Sequence, residues 1–358
     1  MKKVLFIAAH RTDRSPSQRF RFEQYFDFLE KNGFSCELSS LVSKEDDAKL
    51  YSPGNYATKL KIWRKSRNIR NKDAVRSNEF DIIFVQREAF MTGSIKYEQV
   101  FAKSKAKLVF DFDDSIWLEN VSNANRKLAW LKNNDKTKKI IKISDIIFAG
   151  NKYLYDYASQ FNENVKIIPT TIDTLEYSRL STKQTDTICI GWSGSVTTIQ
   201  HFNVALPFLI KLKDKYGDKI CFKVIGDNNY INEELNIQGI AWNKEDEIKE
   251  LSSFDIGIMP LPNDKWAEGK CGLKGLQYMA LEIPTIMSPV GVNTEIIQDG
   301  ENGFLADKED EWLEKLSLLI ENEKLRNTIG KAGRKTVEEK YSVKANKDKY
   351  LAIFKSLV

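Results

Sequence analysis

Residues 255–291 read DIGIMPLPNDKWAEGKCGLKGLQYMALEIPTIMSPVG. A short apolar run ends at Pro-Leu-Pro, and a polar loop, NDKWAEGKCG, follows it. From about Gly272 onward Leu273, Leu276, Met279 and Ala280 fall on one side of a helix, and PTIMSPVG returns to a strand pattern. Strand, helix and strand in direct succession form the crossover unit of a parallel sheet.

The same rhythm runs outward in both directions. KVLFIAA, FSCELSSLV, DIIFVQ, KLVFDF, DIIFAG and VKIIPT read as strands in the first half, and TICIGWSGS, KICFKVIGD and LNIQGIAW precede the opening stretch in the second. Between them, residues 171–186, TIDTLEYSRLSTKQTD, lose both hydrophobicity and period. The expected fold class is therefore α/β, with two Rossmann-like, doubly wound parallel-sheet domains. Residues 1–172 form the first domain, 173–186 a linker, 187–342 the second domain, and 343–358 a helix that packs back on the first.

Composition bounds the function. The chain has 358 residues, enough for two domains of about 150–200 residues. Its 42% hydrophobic and 29% charged residues suit a globular protein. A net charge of +5 is too small for the clustered positive footprint that nucleic acid requires, so no nucleic-acid partner is expected. No apolar run reaches the ~18 residues of a membrane span, and MKKVLFIAAHRTD reads as a first buried strand.

Four scattered cysteines, Cys36, Cys189, Cys221 and Cys271, suggest reduced thiols and a cytoplasmic setting. Only His10 and His201 are present, too few for a histidine metal site or a Ser-His-Asp triad. No repeat or low-complexity tract occurs, which argues against solenoids and propellers. Residues 56–76, YATKLKIWRKSRNIRNKDAVR, set eight cations against one acid with Leu60, Ile62, Trp63 and Ile69 interleaved. This pattern fits either a helix lying on an anionic membrane surface or a solvated helix packed on its domain.

Ligands of open parallel sheets bind beyond the carboxyl ends of the strands. In the first domain, Arg19 and Arg21 are placed near the start of a helix opening about Ser17, where cations oppose the helix dipole unless an anion shares the site. Arg87 follows the third strand, and Asp111, Asp113 and Asp114 close the fourth. Such carboxylates can hold Mg²⁺, act as acid or base, or bind hydroxyls and arginines. The nearby arginines make a neutralised charge network the expectation for at least one of them.

In the second domain IGWSGSVTT leads from strand to helix, so that amides at Gly194 and Ser195 can approach an anion. The spacing is neither a dinucleotide fingerprint nor a Walker loop. Lys270 and Lys274 flank the helix start in the opening stretch and again call for a counter-ion. Two anion features in one domain suggest a diphosphate. Asn228, Trp242 and Gln277 are candidates for holding a base or ribose, with Trp242 equally readable as a core residue.

The motifs PSQRFRF, VQREAF, FDFDD, IGWSGS, PLPNDKWAEGKCGLKGLQYMALEIPTIMSPVGVN and EIIQDGENGFL, in this order, resemble the family 4 glycosyltransferases of the GT-B fold. The resemblance covers nearly the whole chain and is densest over 255–306. It implies retaining transfer of a hexose-type sugar from a nucleotide-diphosphate sugar, with no cofactor or metal, across an interdomain cleft. The donor would lie against Gly194, Ser195, Asn228, Trp242, Glu268, Lys270, Cys271, Gly272, Leu273, Lys274 and Gln277, and the acceptor against Arg19, Arg21, Arg87 and Asp111.

The family's paired glutamates, eight positions apart, align with Gly269 and Gln277, so both acids are replaced here and Glu268 stands beside the first. Lys270 and Lys274 would stabilise the departing diphosphate, and Asp113 or Asp114 would orient the acceptor. The implied acceptor is a glycan or a lipid-linked or protein-linked saccharide in cell-surface polysaccharide or glycoconjugate synthesis. The implied location is the cytoplasm or the inner membrane face. Rival readings are a nucleotide-sugar epimerase or hydrolase, and a catalytically silent nucleotide-sugar-binding partner.

Overall fold

The computed structural model describes residues 1–52, 54–118, 133–181 and 186–358. They form two compact units, Met1–Thr170 together with Lys347–Val358, and Thr171–Asn346.

The first unit is built on β1 (Lys2–His10), β2 (Phe34–Val42), β3 (Ile82–Gln86), β4 (Lys107–Phe112), β5 (Ile146–Ala149) and β6 (Val165–Ile167). All pair in parallel in the order β2-β1-β3-β4-β5-β6. Val4–Ala8 of β1 and all of β3 and β5 are buried on both faces, which is why they read as unbroken apolar runs rather than alternating ones. The chain leaves β1 for β2 on one side and returns to β3 on the other. The loops after β1 and β3 therefore part at the strand ends and open a crevice.

The second unit repeats the plan with β7 (Ile188–Ser193), β8 (Ile220–Ile225), β9 (Ile231–Asn232), β10 (Ile237–Gln238), β11 (Ile256–Met259), β12 (Thr285–Met287) and β13 (Phe304–Leu305). Its parallel sheet runs β13-β12-β11-β7-β8, so the switch point lies between β7 and β11. The core gathers Trp192, Phe202, Phe208, Leu212 and Trp312, with the Phe208 and Trp312 rings stacked at 4.8 Å. LNIQGIAW departs from expectation: it supplies β10, which pairs antiparallel with β9, and a single bridge from Ile240 to Ile225. Its apolar residues, Leu235 and Ile237, enter the core from outside the sheet.

Of the stretch expected as a linker, residues 173–181 lie against the second unit, and 182–185 lie outside the described residues. Tyr177 is fully buried, and Arg334 donates to the carbonyls of Tyr177 at 2.9 Å and Thr174 at 3.0 Å. The helix Val343–Ser356 joins the first unit from Lys347 onward. There Tyr350 stacks on Tyr25 at 4.3 Å and Phe354 meets Phe6, Phe84 and Phe148, each at 6.3 Å. Burial of such side chains stabilises by about 1.5–3 kcal/mol each.

Candidate functional site

At the switch point of the second sheet, the loop after β11 is shaped before its helix starts. Asp264 accepts a hydrogen bond from the Ala267 amide at 2.8 Å and caps the turn Lys265–Glu268. Gly272 then takes a left-handed φ of +69°, and a Cβ there would lie 2.3 Å from Ile296, so only glycine fits. The helix Leu273–Ala280 begins at once. It lies so close to β11 that a Cβ on Gly257 would come within 2.5 Å of the Tyr278 ring.

This construction puts Lys270 just before the helix and Lys274 in its first turn, both half-buried. Their ammonium groups sit over aromatic faces, Lys270 at 5.1 Å from the Trp266 ring and Lys274 at 5.5 Å from Trp192. Beside them His201 is 4% exposed, and its pKa is lowered to about 4 by burial and then by Lys274 and Lys270. The buried His201 Nδ1 and Trp192 Nε1 have no hydrogen-bond partner. Positive charge, a helix start and a neutral imidazole thus converge at one place, an arrangement that favours an anion.

At two places in this domain the candidate groups already have partners within the chain. The Gly194 amide donates to the Ile225 carbonyl at 2.8 Å, and the Ser195 amide to Thr198 Oγ1 at 2.9 Å. Both are engaged, because Ser195 caps a tight turn, Val196–Thr198, ahead of the five-residue helix Ile199–Asn203. An open cradle of amides at a long helix is absent from this turn. Gln277 and Trp242 are likewise committed: Gln277 Nε2 donates to Tyr177 Oη and to Glu247 Oε1, each at 3.1 Å, and Trp242 Nε1 donates to Glu247 Oε1 at 2.8 Å. Tyr177 Oη completes the network on Glu247 Oε2 at 2.6 Å.

Glu247 is the residue that sequence reasoning missed. It stands in the first turn of the helix Lys244–Ser252, and its inward aim is set by partners far away in the chain. The remaining donor candidates occupy two places. Glu268, Cys271 and Leu273 belong to the loop and helix start, with Cys271 buried and its thiol facing the Gly269 carbonyl at 3.8 Å. Asn228 lies exposed in the turn after β8 and accepts from Gln238 Nε2 at 3.1 Å.

The rim of the first sheet is arranged differently. Arg19 ends the four-residue helix Pro16–Arg19, and Arg21 lies beyond it, just before the turn Glu23–Tyr25 that leads into the helix Phe26–Lys31. Arg21 and Asp111 are 2% and 1% exposed. Arg21 Nε meets Asp111 Oδ1 at 3.1 Å, and the same guanidinium also binds the Ile168 carbonyl. Burial pushes the Asp111 carboxyl up while Arg21 holds it down. This pair is a structural tie closed to solvent, which corrects its assignment to the acceptor. Arg19 is also buried, 3.9 Å from Asp13 and stacked over Phe20 at 4.9 Å.

Arg87, Asp113 and Asp114 do meet at the strand ends. Arg87 Nε donates to Asp113 Oδ1 at 2.8 Å, and Nη2 lies 3.6 Å from Asp114 Oδ2. Burial works against the charge of Arg87, but Asp113 and Asp114 outweigh it and raise the pKa. Its backbone has a φ of +61°, a costly conformation for a non-glycine residue. The following loop is clamped, with Arg70 donating to the carbonyls of Ala89 at 2.6 Å and Ala8 at 2.7 Å, and Lys136 reaching Glu88 at 2.7 Å.

At the end of β1 in the same rim, Gln18 binds both backbone groups of His10, at 2.9 and 2.8 Å. Tyr51 Oη lies 3.1 Å from its Nε2. Burial, followed by Arg14, lowers the His10 pKa to about 4. Its place at a strand end was the signal available in the sequence. Among the described residues, no group of three or more His, Cys, Asp and Glu is placed to hold a metal ion, and no helix is long and apolar enough to cross a membrane.

Residues 181–336 match the family model of glycosyl transferases group 1. The capsular polysaccharide biosynthesis glycosyltransferase CapM of Staphylococcus aureus is 41% identical over 99 residues, which cover 27% of this chain and 25% of CapM. The chain thus aligns with about a quarter of that relative's length. Among solved structures, a glycosyltransferase from Rickettsia africae superposes with a TM-score of 0.70 at 14% identity, covering 99% of this chain and 98% of that one. HepE of Anabaena in complex with UDP and glucose gives 0.67 at 14% identity, covering 99% and 100%. The fold is the pair of Rossmann-like domains of GT-B proteins.

Proposed function

We propose that this protein is a glycosyltransferase that moves a hexose-type sugar from a nucleotide-diphosphate sugar, held by its second unit, to an acceptor hydroxyl with retention of configuration, in the manner of family 4. The observation that carries this reading is the position of Lys270 and Lys274 at a helix start, inside the segment that matches the group 1 model. As the glycosidic bond breaks, negative charge grows on the leaving diphosphate. Two ammonium groups and the positive end of a helix meet that charge in a partly desolvated place.

With the Gly194 and Ser195 amides engaged, the lysines take the main part in this role, and no metal is required for it. On the first unit, Asp113 and Asp114 accept from the incoming hydroxyl while Arg87 holds them. The acceptor is a glycan or a lipid-linked or protein-linked saccharide. The CapM relative supports cell-surface polysaccharide as its class, and the UDP held by HepE supports a nucleoside diphosphate.

The test is thermal unfolding with UDP, GDP, CMP and ADP in the presence of EDTA, followed by donor turnover with and without acceptors. A nucleoside diphosphate should raise the melting temperature, and Lys270→Ala should remove most of that rise. Binding without turnover would identify a silent nucleotide-sugar-binding partner. Free sugar or epimer without acceptor would identify a hydrolase or epimerase, and no stabilisation by any nucleotide would sink the proposal.

A further inference from the structure

The helix Tyr56–Arg76 has two unlike sides. Lys59, Ile62, Ser66, Arg70 and Asp73 are buried, and through Arg70 this inner side ties together the carbonyls of Ala8 and Ala89 at the strand-end rim. The outer side presents Lys61, Arg64, Lys65, Arg67 and Lys72, all exposed. At 100° per residue these cations spread over the outward half of a rod about 30 Å long.

No acid shares that side, because the helix's single carboxylate, Asp73, is buried on Arg70 at 2.8 Å. Lys65 reaches Asp46 at 2.8 Å, and Arg67 lies over Trp63 at 5.5 Å. Among the described residues Lys61, Arg64 and Lys72 meet no carboxylate. Apolar groups stand among the charges: Tyr56 is 58% and Leu60 46% exposed, with Tyr51 at 47% on the helix before.

We propose that this face docks the protein on an anionic lipid bilayer, with the helix lying along the headgroups. Cations on a long convex face match a negatively charged plane, and exposed Tyr and Leu suit the boundary between headgroups and acyl chains. A nucleic-acid backbone would satisfy the charges and leave Tyr51, Tyr56 and Leu60 without an apolar partner. Docking would fix the orientation of the first unit's rim to the surface through Arg70. The inference does not depend on the reaction proposed above.

The experiment is flotation of the full chain with vesicles of phosphatidylglycerol and phosphatidylcholine, or of phosphatidylcholine alone, at rising salt. The chain should float only with the anionic vesicles and be released by salt. Combined Lys61→Glu, Arg64→Glu and Lys72→Glu should weaken partitioning by about a hundredfold or more. Lys324→Glu, Lys331→Glu and Lys335→Glu, on the helix Glu323–Thr336, make the same change in net charge and should leave it within about threefold.

Unchanged circular dichroism and melting temperature would show that the triple variants are folded; if the first is not, Lys72→Glu alone should cost about fivefold. Equal losses in both triple variants, binding to phosphatidylcholine alone, no binding by the native chain, or its displacement by an equal amount of duplex DNA would each overturn the proposal.

Discussion

The two sheets end in rims of the same topology and different electrostatic make-up. In the first unit, charges close on one another: Arg21 on Asp111, Arg87 on Asp113 and Asp114, and Arg11 with Arg14 on Asp47. In the second, Lys270 and Lys274 lie against aromatic rings beside His201, whose pKa is lowered to about 4 by burial and then by the two lysines. A rim balanced within itself recognises hydroxyls and shape. A rim whose cations stand at a helix start and over ring faces favours an anion.

The largest test of this contrast is to break the balanced rim. Arg21→Met leaves Asp111 buried and uncompensated, and should cost about 3–5 kcal/mol in denaturant unfolding. Nucleotide affinity of the second unit should be unchanged, and a comparable loss of affinity would erase the distinction between the rims.

Next comes proton linkage at His201. Its folded pKa of about 4 lies below the ordinary 6.5, so on acidification the unfolded chain takes up the proton first. Stability is whole above pH 6.5 and declines toward pH 4, by about 3 kcal/mol for a group this buried. His201→Gln should flatten that slope. Lys274→Ala or a bound nucleoside diphosphate should raise the His201 pKa, which NMR titration reads directly. His10 follows the same sign in the other unit and should not respond to nucleotide.

Smaller is the direct effect of the lysines. Lys270→Ala should weaken nucleoside-diphosphate binding by about tenfold to a hundredfold, as for loss of a charged hydrogen bond, with little change in stability. Calorimetry gives both values. Smallest is Trp242→Phe, which removes the hydrogen bond to Glu247 and should cost about 1 kcal/mol of stability. A larger loss confined to nucleotide affinity would return Trp242 to the donor site.

The strands were legible because double-sided burial leaves a continuous apolar record, as in IIFVQ and VLFIA, and the helix start at Gly272 because φ > 0 selects glycine. β10 was misread as a sheet strand because burial of Leu235 and Ile237 looks the same in sequence whether or not a ladder forms. Of the candidate residues, Lys270, Lys274, Arg87, Asp113 and Asp114 stand at the strand ends as read. Trp242 turned to Glu247, 5 positions on, whereas Arg21, Asp111 and Gln277 turned to partners 90, 90 and 30 positions away, respectively. Pairing across such separations is set by the crossing of elements, to which local spacing is blind.

The helix Val343–Ser356 sets a timetable for biosynthesis. The aromatic pocket formed by Phe6, Tyr25, Phe84 and Phe148 belongs to residues made early, and Tyr350 and Phe354 that fill it are made only after the whole second unit. On the ribosome the first unit must wait with that pocket open while the second is translated, a span in which a chaperone has something to hold.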